Sequence, residues 1–459
     1  MARPAVKKNK PRFFSVLLTL LLIAAGIFGV YKVRSIMTNG PMSAFLPEGK
    51  PTVETVTGTP STAPDTTEKA ADDLAVAAAK AIGEADASLT PAFLSYIADH
   101  CDARALDTVL DAMGQKDYDK EIWFTATGSS FYALQALASG DVEKGVVRDM
   151  KTETDTITIG FAGKINAARP SMAATAVSSD LQKAMQDMDI QVVSSECAFS
   201  ADGKTAQYTA DAKTAAVYKT LGIDLANIAS AHVTASGADA VAQTSRALED
   251  NDVSHVGAGA DVSEAAKPAS FLAGGRRIAF IGAADTLSYR GGKAATASSS
   301  GVLSLRSSLD TVKNAVKAAK AENDYVFVYI QAGIDENANW FDSDQDSWSK
   351  ALIDAGADGV IGAHSTRLQG MEFYKGKLIV YGLGNFLYDD KDRETGVYKL
   401  IIDKDGKFTH TLLACRQTAK GVSLCTADAD KNAVYSRVSK FCGNVVRIDS
   451  NGTIVNNRR

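Results

Sequence analysis

Three side chains with metal-ligating chemistry follow predicted strands of this 459-residue chain: Glu196, His232 and His364. In α/β folds, binding and catalytic residues sit on the loops that follow the C-terminal ends of strands. One carboxylate and two imidazoles match in type the ligands of a catalytic zinc ion. They can form at most one three-ligand site, whereas a two-metal hydrolase needs more ligands and one carboxylate shared by both ions. The residues therefore favour at most a single divalent metal.

Lys164 follows the predicted strand TITIGF in the same region. Its ammonium group would repel a nearby divalent ion, or pair with Glu196 and neutralise it. The two histidines would then be hydrogen-bonded loop residues of a pocket without metal, so we expect no cofactor. A desolvated lysine can also act as a base or nucleophile, here beside Ser194 or Ser195. No nucleophile-elbow motif supports such a pair.

Basic residues near these loops suggest a second kind of site, one that binds anions. Lys164, Arg169 and Arg367 lie in or just after loops that would rim a pocket. Ammonium and guanidinium groups hold carboxylates and phosphates, so the expected ligand is anionic. The alternative is that all three are solvated surface charges, as basic residues usually are.

The elements that must position these residues alternate between β-rich and helical stretches after Lys151. Short strands such as IQVV and the fully apolar YVFVYI are separated by helical runs such as SSLDTVKNAVKAAKAEN. This alternation predicts an α/β fold with buried strands. From Asp403 onward, KFTHTLLAC and NVVRIDSNGTIV predict strands, with turns at Asp405-Gly406 and Asn451-Gly452.

The N-terminal part predicts a membrane tether. Residues 13–31 carry no charge and, at ~1.5 Å rise per residue, make a helix about 28 Å long, enough to span a bilayer. Basic residues concentrate before this run, so residues 1–12 are expected in the cytoplasm and the bulk of this single-pass protein outside the cell membrane. A cleaved signal peptide is the alternative, but the run is long for one and no A-x-A-like site follows closely. Residues 32–69, rich in Pro and Thr, predict an extended linker.

Residues 70–150 predict a small, mainly helical module. DDLAVAAAKAIGEA and LTPAFLSYIADH show helical apolar spacing, and Thr90 and Pro91 suit the cap and first turn of the second helix. The aromatic segment EIWFTATGSSFYALQAL is interpreted either as a binding surface or as a packing seam against the next domain.

Composition limits the kinds of partner and of cysteine chemistry that we expect. The formal net charge is −5, and five of the basic residues lie before residue 13, so the remainder is more acidic still and nucleic acid is excluded as a partner. The five cysteines form no C-x-x-C pair, which argues against a thiolate metal site. In an oxidising location a bridge among Cys415, Cys425 and Cys442 is a hypothesis, with the pair left open.

Two stretches carry a resemblance to a known family: LEDNDVSHVGAGADVSEAAKPASFLAGGRRIAFIG and GADGVIGAHSTRLQGMEFYKGKLIVYGLGNFLYD. Residues 155–415 resemble the poly-γ-glutamate capsule biosynthesis CapA family, whose domain is similar to the calcineurin-like metallophosphoesterases. The resemblance implies a multilayer α-β-β-α sandwich there, followed by a C-terminal β-rich extension over residues 416–459. The family's closing G-N-F turn is intact and makes Asn385 a binding candidate.

The metal-binding pattern of that family is only partly present. Lys164 stands where the family has a metal-bridging Asp, and Gln331 stands where it has a His. The family's N-x-E keeps Glu196, its A-N-N-H keeps His232, and its H-P-H keeps His364. The resemblance therefore implies a degenerate metal site.

Together, the tether and the resemblance imply a membrane-anchored, extracytoplasmic protein that assists synthesis, export or attachment of a capsule or envelope polymer such as poly-γ-glutamate. Its partners would be the anionic polymer or the proteins that make and export it, and it would work without dinuclear metal catalysis. One alternative is a metal-dependent hydrolase or polymer-processing enzyme with an altered site. Another is an interaction scaffold, in which residues 70–150 dock partner proteins of an envelope complex.

Overall fold

The computed structural model describes residues 66–114, 118–152, 154–169, 173–237, 239–285, 292–333, 337–443 and 445–458. The chain divides into two compact units, with the division between Lys116 and Asp117. The predicted cytoplasmic segment 1–12, the anchor 13–31 and the linker up to residue 65 lie outside the described residues. Within the described ranges, no helix is both long and apolar enough to cross a membrane.

The described part of the first unit consists of helices α1 (Thr66–Ala85), α2 (Pro91–His100) and α3 (Ala103–Met113). Helix α1 therefore begins three residues before the predicted end of the linker at residue 69. The Thr90 hydroxyl accepts a hydrogen bond from the backbone N–H of Phe93, and Pro91 occupies the first turn of α2, which confirms the predicted cap. Ile82, Phe93, Ile97, Leu106 and Val109 are buried and form the core of this unit.

The helices of the second unit, in chain order, are α4 (Glu121–Thr127), α5 (Phe131–Ala138), α6 (Ser179–Gln186), α7 (Ala216–Thr220), α8 (Ala231–Ala235), α9 (Ala240–Glu249), α10 (Val262–Ala265), α11 (Leu305–Glu322), α12 (Ser343–Asp354) and α13 (Asp428–Phe441). Short 3-10 helices span Ala174–Ala176 and Ala212–Ala215.

The strands, in chain order, are β1 (Val147–Asp149), β2 (Ile157–Ile165), β3 (Ile190–Ser195), β4 (Ala198–Ser200), β5 (Thr209–Asp211), β6 (Leu225–Asn227), β7 (Ser254–Val256), β8 (Ala258–Gly259), β9 (Ala269–Ala273), β10 (Arg276–Ala284), β11 (Gly301–Val302), β12 (Tyr325–Gln331), β13 (Gly359–Ala363), β14 (Met371–Tyr374), β15 (Lys377–Val380), β16 (Asn385–Leu387), β17 (Arg393–Ile402), β18 (Phe408–Thr418), β19 (Gly421–Leu424), β20 (Val446–Ile448) and β21 (Ile454–Asn456).

Helices α4 and α5 carry the aromatic segment and belong to the second unit. Trp123, Phe124 and Phe131 are buried. The guanidinium carbon of Arg276, on β10, lies 3.9 Å from the centroid of the Phe124 ring. The packing interpretation of this segment therefore describes these side chains better than a binding surface does.

Two large mixed sheets organise the second unit. The first sheet has the order β1-β9-β10-β12-β13-β15-β14, and the second has the order β19-β18-β17-β2-β3-β6-β7, with β16 beside β2. Strands β10, β12, β13 and β15 run parallel in the first sheet, as do β2, β3, β6 and β7 in the second. The prediction of a mixed α/β fold is confirmed.

The core residues sort into an inner cluster and two outer ones. Phe161 and Ile159 of the second sheet share a cluster with Phe280 and Phe327 of the first, so the two sheets face each other. Helices α6, α7 and α9 pack on the outer face of the second sheet. Helices α11 and α12 pack on the outer face of the first sheet. Each helix buries its apolar stripe against a sheet, as such layers require.

A β-bulge in β2 changes the face to which its last residues point. Phe161 pairs with Val192 of β3 but Lys164 pairs with Ser194, so β2 holds one extra residue between these two pairs. Strict alternation would place residue 164 on the outer face with Ala162. Because of the bulge, Ile165 joins Ala162 in the outer cluster instead. Lys164 is thereby directed between the sheets, as bulges near functional sites often direct side chains.

The tail contains the predicted strands and turns, but its longest element is helix α13, which the prediction of a β-rich extension over residues 416–459 did not include. The tail also overturns the disulfide hypothesis. Strands β18, β20 and β21 form, with turns at Asp405–Gly406 and Asn451–Gly452. All five cysteines are free. Cys415 belongs to the outer cluster and Cys425 to the inner one, so they lie on opposite faces of the second sheet. Cys442 follows α13, whose 14 residues span about 21 Å and separate it from Cys425.

Candidate functional site

Lys164 occupies the centre of the candidate site. Its side chain is fully buried, and its Nζ donates a hydrogen bond to the backbone carbonyl of His364 at 2.6 Å. The same Nζ lies 4.5 Å from the centroid of the Tyr388 ring, a cation–π distance. The backbone N–H of Lys164 donates to the carbonyl of Gly384 at 3.0 Å. Lys164 thus belongs to a strand, and the expectation that it rims a pocket is wrong.

Glu196 directly follows β3 and is also fully buried. The Gln331 amide nitrogen lies 2.7 Å from both of its carboxylate oxygens. The hydroxyl groups of Ser194 and Ser230 donate to the two oxygens at 3.3 and 3.2 Å. Both oxygens are therefore engaged by donors from β3, from the end of β12 and from the cap of α8.

Burial raises the pKa of Glu196, and the positive charge of Lys164 is the strongest of the effects that oppose this rise. The donors from Ser230, Ser194 and Gln331 oppose it further. Lys164 and Glu196 are thus two fully buried ionisable groups, and the attraction between their charged forms lowers the cost of burying each charge.

His232 lies in α8, beside this pair. Its backbone N–H donates to the Ser230 hydroxyl, and its ring stacks on Tyr208 with centroids 3.6 Å apart. Burial, with the nearby charge of Lys164 as a second cause, lowers the pKa of His232 to about 4. The imidazole is therefore neutral at neutral pH.

His364 directly follows β13 and has a positive φ of 97°. Residues other than glycine rarely adopt this backbone conformation, and it costs on the order of 1–3 kcal/mol. The conformation is coupled to the site, because the carbonyl of His364 accepts the hydrogen bond from Lys164. The side chain is buried beside Gly333, where an added Cβ would lie 3.4 Å from the His364 ring.

This donor set does not fit a metal centre. Within the described residues, no group of three or more His, Cys, Asp or Glu side chains is arranged to hold a metal ion. The amide of Gln331 donates to both oxygens of Glu196, which a metal ligand would need to present to the ion. The ammonium group of Lys164 adds a positive charge at the same place. Glu196, His232 and His364 are thus gathered around a lysine.

The other binding candidates take different positions. The Arg169 side chain is only 2% exposed and pairs with Asp390 at 3.0 Å. The expectation that Arg169 rims a pocket is therefore wrong. Asn385 is buried at the start of β16 and donates to Asp389 at 3.3 Å. Arg367 is exposed, three residues after His364.

Two residues of the site have roles that the sequence did not reveal. The sequence indicates only that Gln331 replaces a metal-ligating His, yet its amide is the closest side-chain donor to Glu196, at 2.7 Å. Tyr388 contributes the ring face beneath the Lys164 ammonium, and the sequence carries no signal for it because the two residues lie far apart in the chain. The lysine at position 164, where the family has an acidic residue, is the sequence signal that the side chains around it must form different contacts.

Comparison with known proteins decides the family. A family model described as "Bacterial capsule synthesis protein PGA_cap" matches residues 137–390, more than half of the chain. The chain belongs to this bacterial capsule synthesis family. The matched range contains Lys164, Glu196, His232 and His364, so the whole lysine-centred site lies in the PGA_cap domain.

Two curated relatives of this PGA_cap protein carry CapA names. The capsule biosynthesis protein CapA of Bacillus anthracis is 28% identical over 242 residues, which cover 52% of this chain and 58% of that protein. The PGA biosynthesis protein CapA of Bacillus subtilis is 29% identical over 194 residues, 41% of this chain and 50% of that protein. The chain thus spans about half the length of each of these relatives.

Solved structures show only distant similarity to the PGA_cap protein. The NAD nucleotidase of Haemophilus influenzae is 13% identical, with a TM-score of 0.37, covering 62% of each chain. A hypothetical protein from Thermus thermophilus has the same identity and TM-score, covering 56% of this chain and 99% of its own. At these TM-scores the similarity carries no conclusion about activity.

Proposed function

We propose that this PGA_cap protein is anchored in the cell membrane, faces the outside, and assists synthesis, export or attachment of an anionic capsule or envelope polymer such as poly-γ-glutamate. Membership of the capsule synthesis family supports the polymer-related role. The uncharged run at residues 13–31, preceded by basic residues, supports the anchor and its orientation. The partners are the polymer or the proteins that make and export it.

We further propose that the protein assists this process without metal catalysis, at a degenerate metallophosphoesterase-like site. One observation carries this part: the buried ammonium of Lys164 donates to the His364 carbonyl and opposes the rise in the pKa of Glu196. A protein cation thus takes the place in which a metal would have to neutralise the carboxylate. A metal would have to displace both the lysine and the Gln331 amide, and each displacement would leave a buried polar group without its partner.

Deletion and complementation test the polymer-related role. Deleting the gene in its own bacterium should reduce the anionic polymer on the cell surface, and the wild-type chain should restore it. A version that lacks residues 1–31 should fail to restore it if the tether is required. Unchanged surface polymer after deletion would contradict the proposed role.

Metal content tests the absence of metal catalysis separately. The full chain, purified in detergent and loaded with manganese or zinc, should retain far less than one equivalent of metal by elemental mass spectrometry. Glu196→Ala and His364→Ala are the matched controls and should retain the same background amount. Stoichiometric metal that disappears in both variants would instead support a metal-dependent enzyme.

A further inference from the structure

An arginine-rich cleft of about 350 Å³ lies next to the lysine-centred site, in the second unit. Six charged side chains line it: Arg367, Arg393, Arg416, Arg437, Asp392 and Glu394. They come from the loop after β13, the start of β17, strand β18 and helix α13. The cleft is connected to the lysine-centred site through Arg393, whose guanidinium donates to the Thr366 hydroxyl, two residues after His364.

The acidic residues of the lining already pair with two of the arginines. Arg416 binds both carboxylate oxygens of Asp392, at 2.6 and 2.9 Å. Arg437 binds Glu394 at 2.6 Å. The two charges cancel within each pair, so Arg367 and Arg393 are the arginines of the lining that no carboxylate of the lining neutralises.

Arg367 and Arg393 retain unused donors. Arg367 is exposed and forms no ion pair with any carboxylate in the described part of the chain. Arg393 forms a long ion pair with Asp389, with 3.7 Å between nitrogen and oxygen, and its side chain is 12% exposed. The Nε of Arg393 is buried and has no hydrogen-bond partner among the described residues. A buried donor without an acceptor costs free energy, so the Arg393 guanidinium is not fully satisfied by the described residues around it.

The rest of the lining indicates what kind of anion fits. Phe441 is partly exposed and brings apolar surface beside the guanidinium groups, while Leu368 and Val438 are buried behind the lining. The Phe441 ring also packs edge-on against Trp340, with centroids 5.3 Å apart, and Trp340 is 57% exposed. Methylene groups gain from contact with such a wall, and planar guanidinium groups match planar carboxylates. A phosphate, which is surrounded by oxygens, would leave the apolar wall unused.

We propose that this cleft binds carboxylate groups carried on a flexible aliphatic chain, with Arg367 and Arg393 as the anion contacts. The chemistry is inferred from the cleft itself, whereas the identity of the natural ligand as a polycarboxylate of the capsule rests on the proposed function. The cleft lies outside the set of Glu196, His232 and His364, so binding here requires neither metal nor catalysis.

Binding of a labelled poly-γ-glutamate oligomer to the full chain in detergent, followed by fluorescence anisotropy, tests the proposal. Arg367→Ala should weaken binding about tenfold, the scale of one lost charge-assisted contact. Arg367→Lys should recover part of that loss, because it keeps the charge but not the planar fork. Arg246→Ala, at an exposed position on α9, is the matched control and should bind like the wild type.

A variant that is expected to bind more tightly separates loss of a binding contact from poor folding, because a poorly folded variant would not gain affinity. Glu394→Gln removes a negative charge from the lining and releases Arg437, so it should tighten binding several-fold. Wild-type binding should weaken with added salt, as expected for exposed charges. Neutral polyglutamine should not bind, and inorganic polyphosphate should compete weakly.

Each alternative result would overturn a defined part of the proposal. Wild-type affinity in Arg367→Ala, or no tightening in Glu394→Gln, would remove the cleft as the binding site. Strong binding of polyphosphate without binding of poly-γ-glutamate would overturn the carboxylate chemistry. If the cleft variants behave as expected but gene deletion leaves the surface polymer unchanged, the proposed function fails and the cleft remains a carboxylate site.

Discussion

Replacing Lys164 with methionine would remove a positive charge from the interior while keeping nearly the same side-chain volume. The ammonium group contacts the His364 carbonyl at 2.6 Å and lies over the Tyr388 ring. It also opposes the rise in the pKa of the fully buried Glu196. The substitution therefore leaves a carbonyl without its donor and a carboxylate without its compensating charge.

The size of the effect follows from these contacts. A hydrogen bond that involves a charged group contributes about 1.5–3 kcal/mol. Removing one partner of a buried charge pair costs about 3–5 kcal/mol, a figure that includes such hydrogen bonds. We therefore expect Lys164→Met to lower the free energy of unfolding by about 3–5 kcal/mol at neutral pH.

The loss should depend on pH in a defined direction. Without Lys164, the pKa of Glu196 in the folded protein rises further above its ordinary value of 4.5. A folded-state pKa above the unfolded one means that the folded protein holds more protons in that window, so stability falls as pH rises through it. Lys164→Met should thus be least destabilised at acid pH and lose stability more steeply than the wild type as pH rises from 4.5 toward neutrality.

Urea unfolding followed by tryptophan fluorescence measures this effect, because all three tryptophans (Trp123, Trp340 and Trp348) lie in the second unit. Lys317→Met, at an exposed position on α11, is the matched control and should change little. The double variant Lys164→Met/Glu196→Gln should recover part of the loss and the wild-type pH dependence. A loss below about 1 kcal/mol with an unchanged pH profile would refute the charge-pair reasoning, since such a loss is ordinary for a substitution.

Three further predictions concern neighbouring residues. His364→Gly should be more stable than His364→Ala by about 1 kcal/mol in urea unfolding, because both remove the imidazole and only glycine relieves the positive φ; equal stabilities would argue against strain. The His232 imidazole should titrate near pH 4 by NMR. The stability that the neutral imidazole contributes is therefore fully present above its ordinary pKa of 6.5 and is lost as the pH falls toward 4. Titration near 6.5 would contradict its burial. Gly163→Ala should lower the free energy of unfolding by about 1–3 kcal/mol, because the new Cβ would lie 2.1 Å from the Gly384 carbonyl oxygen. Gly114→Ala is the control and should be tolerated, because its Cβ would lie 3.6 Å from the nearest atom. Thermal or urea unfolding measures both.

Much of the α/β architecture could be predicted because its signals are local. The apolar run YVFVYI becomes β12, and the alternation of strands and helices after Lys151 becomes two sheets with helices on their outer faces. The tail turns at Asp405–Gly406 and Asn451–Gly452 also form where their dipeptides predict them. Each depends on residues close together in the chain.

The candidate site could be predicted only in part. Motif positions identified Glu196, His232 and His364, and the structure gathers them around Lys164. The expectation that basic residues rim this pocket was wrong for Lys164 and Arg169, whose side chains are buried. A long side chain is buried when other elements pack over it. Those elements lie far away in the chain, so local sequence patterns do not indicate the burial.

The sequence by itself determined the family, the mixed α/β class and the residue types available to the site, since each is encoded in local patterns and motifs. Only the tertiary structure decided what those residues do. A single extra residue in β2 turns Lys164 inward to Glu196 and His364, and strands, a loop and a helix far apart in the chain bring four arginines into one cleft. Charges act through space, so their consequences depend on distances and burial that exist only once the sheets have packed.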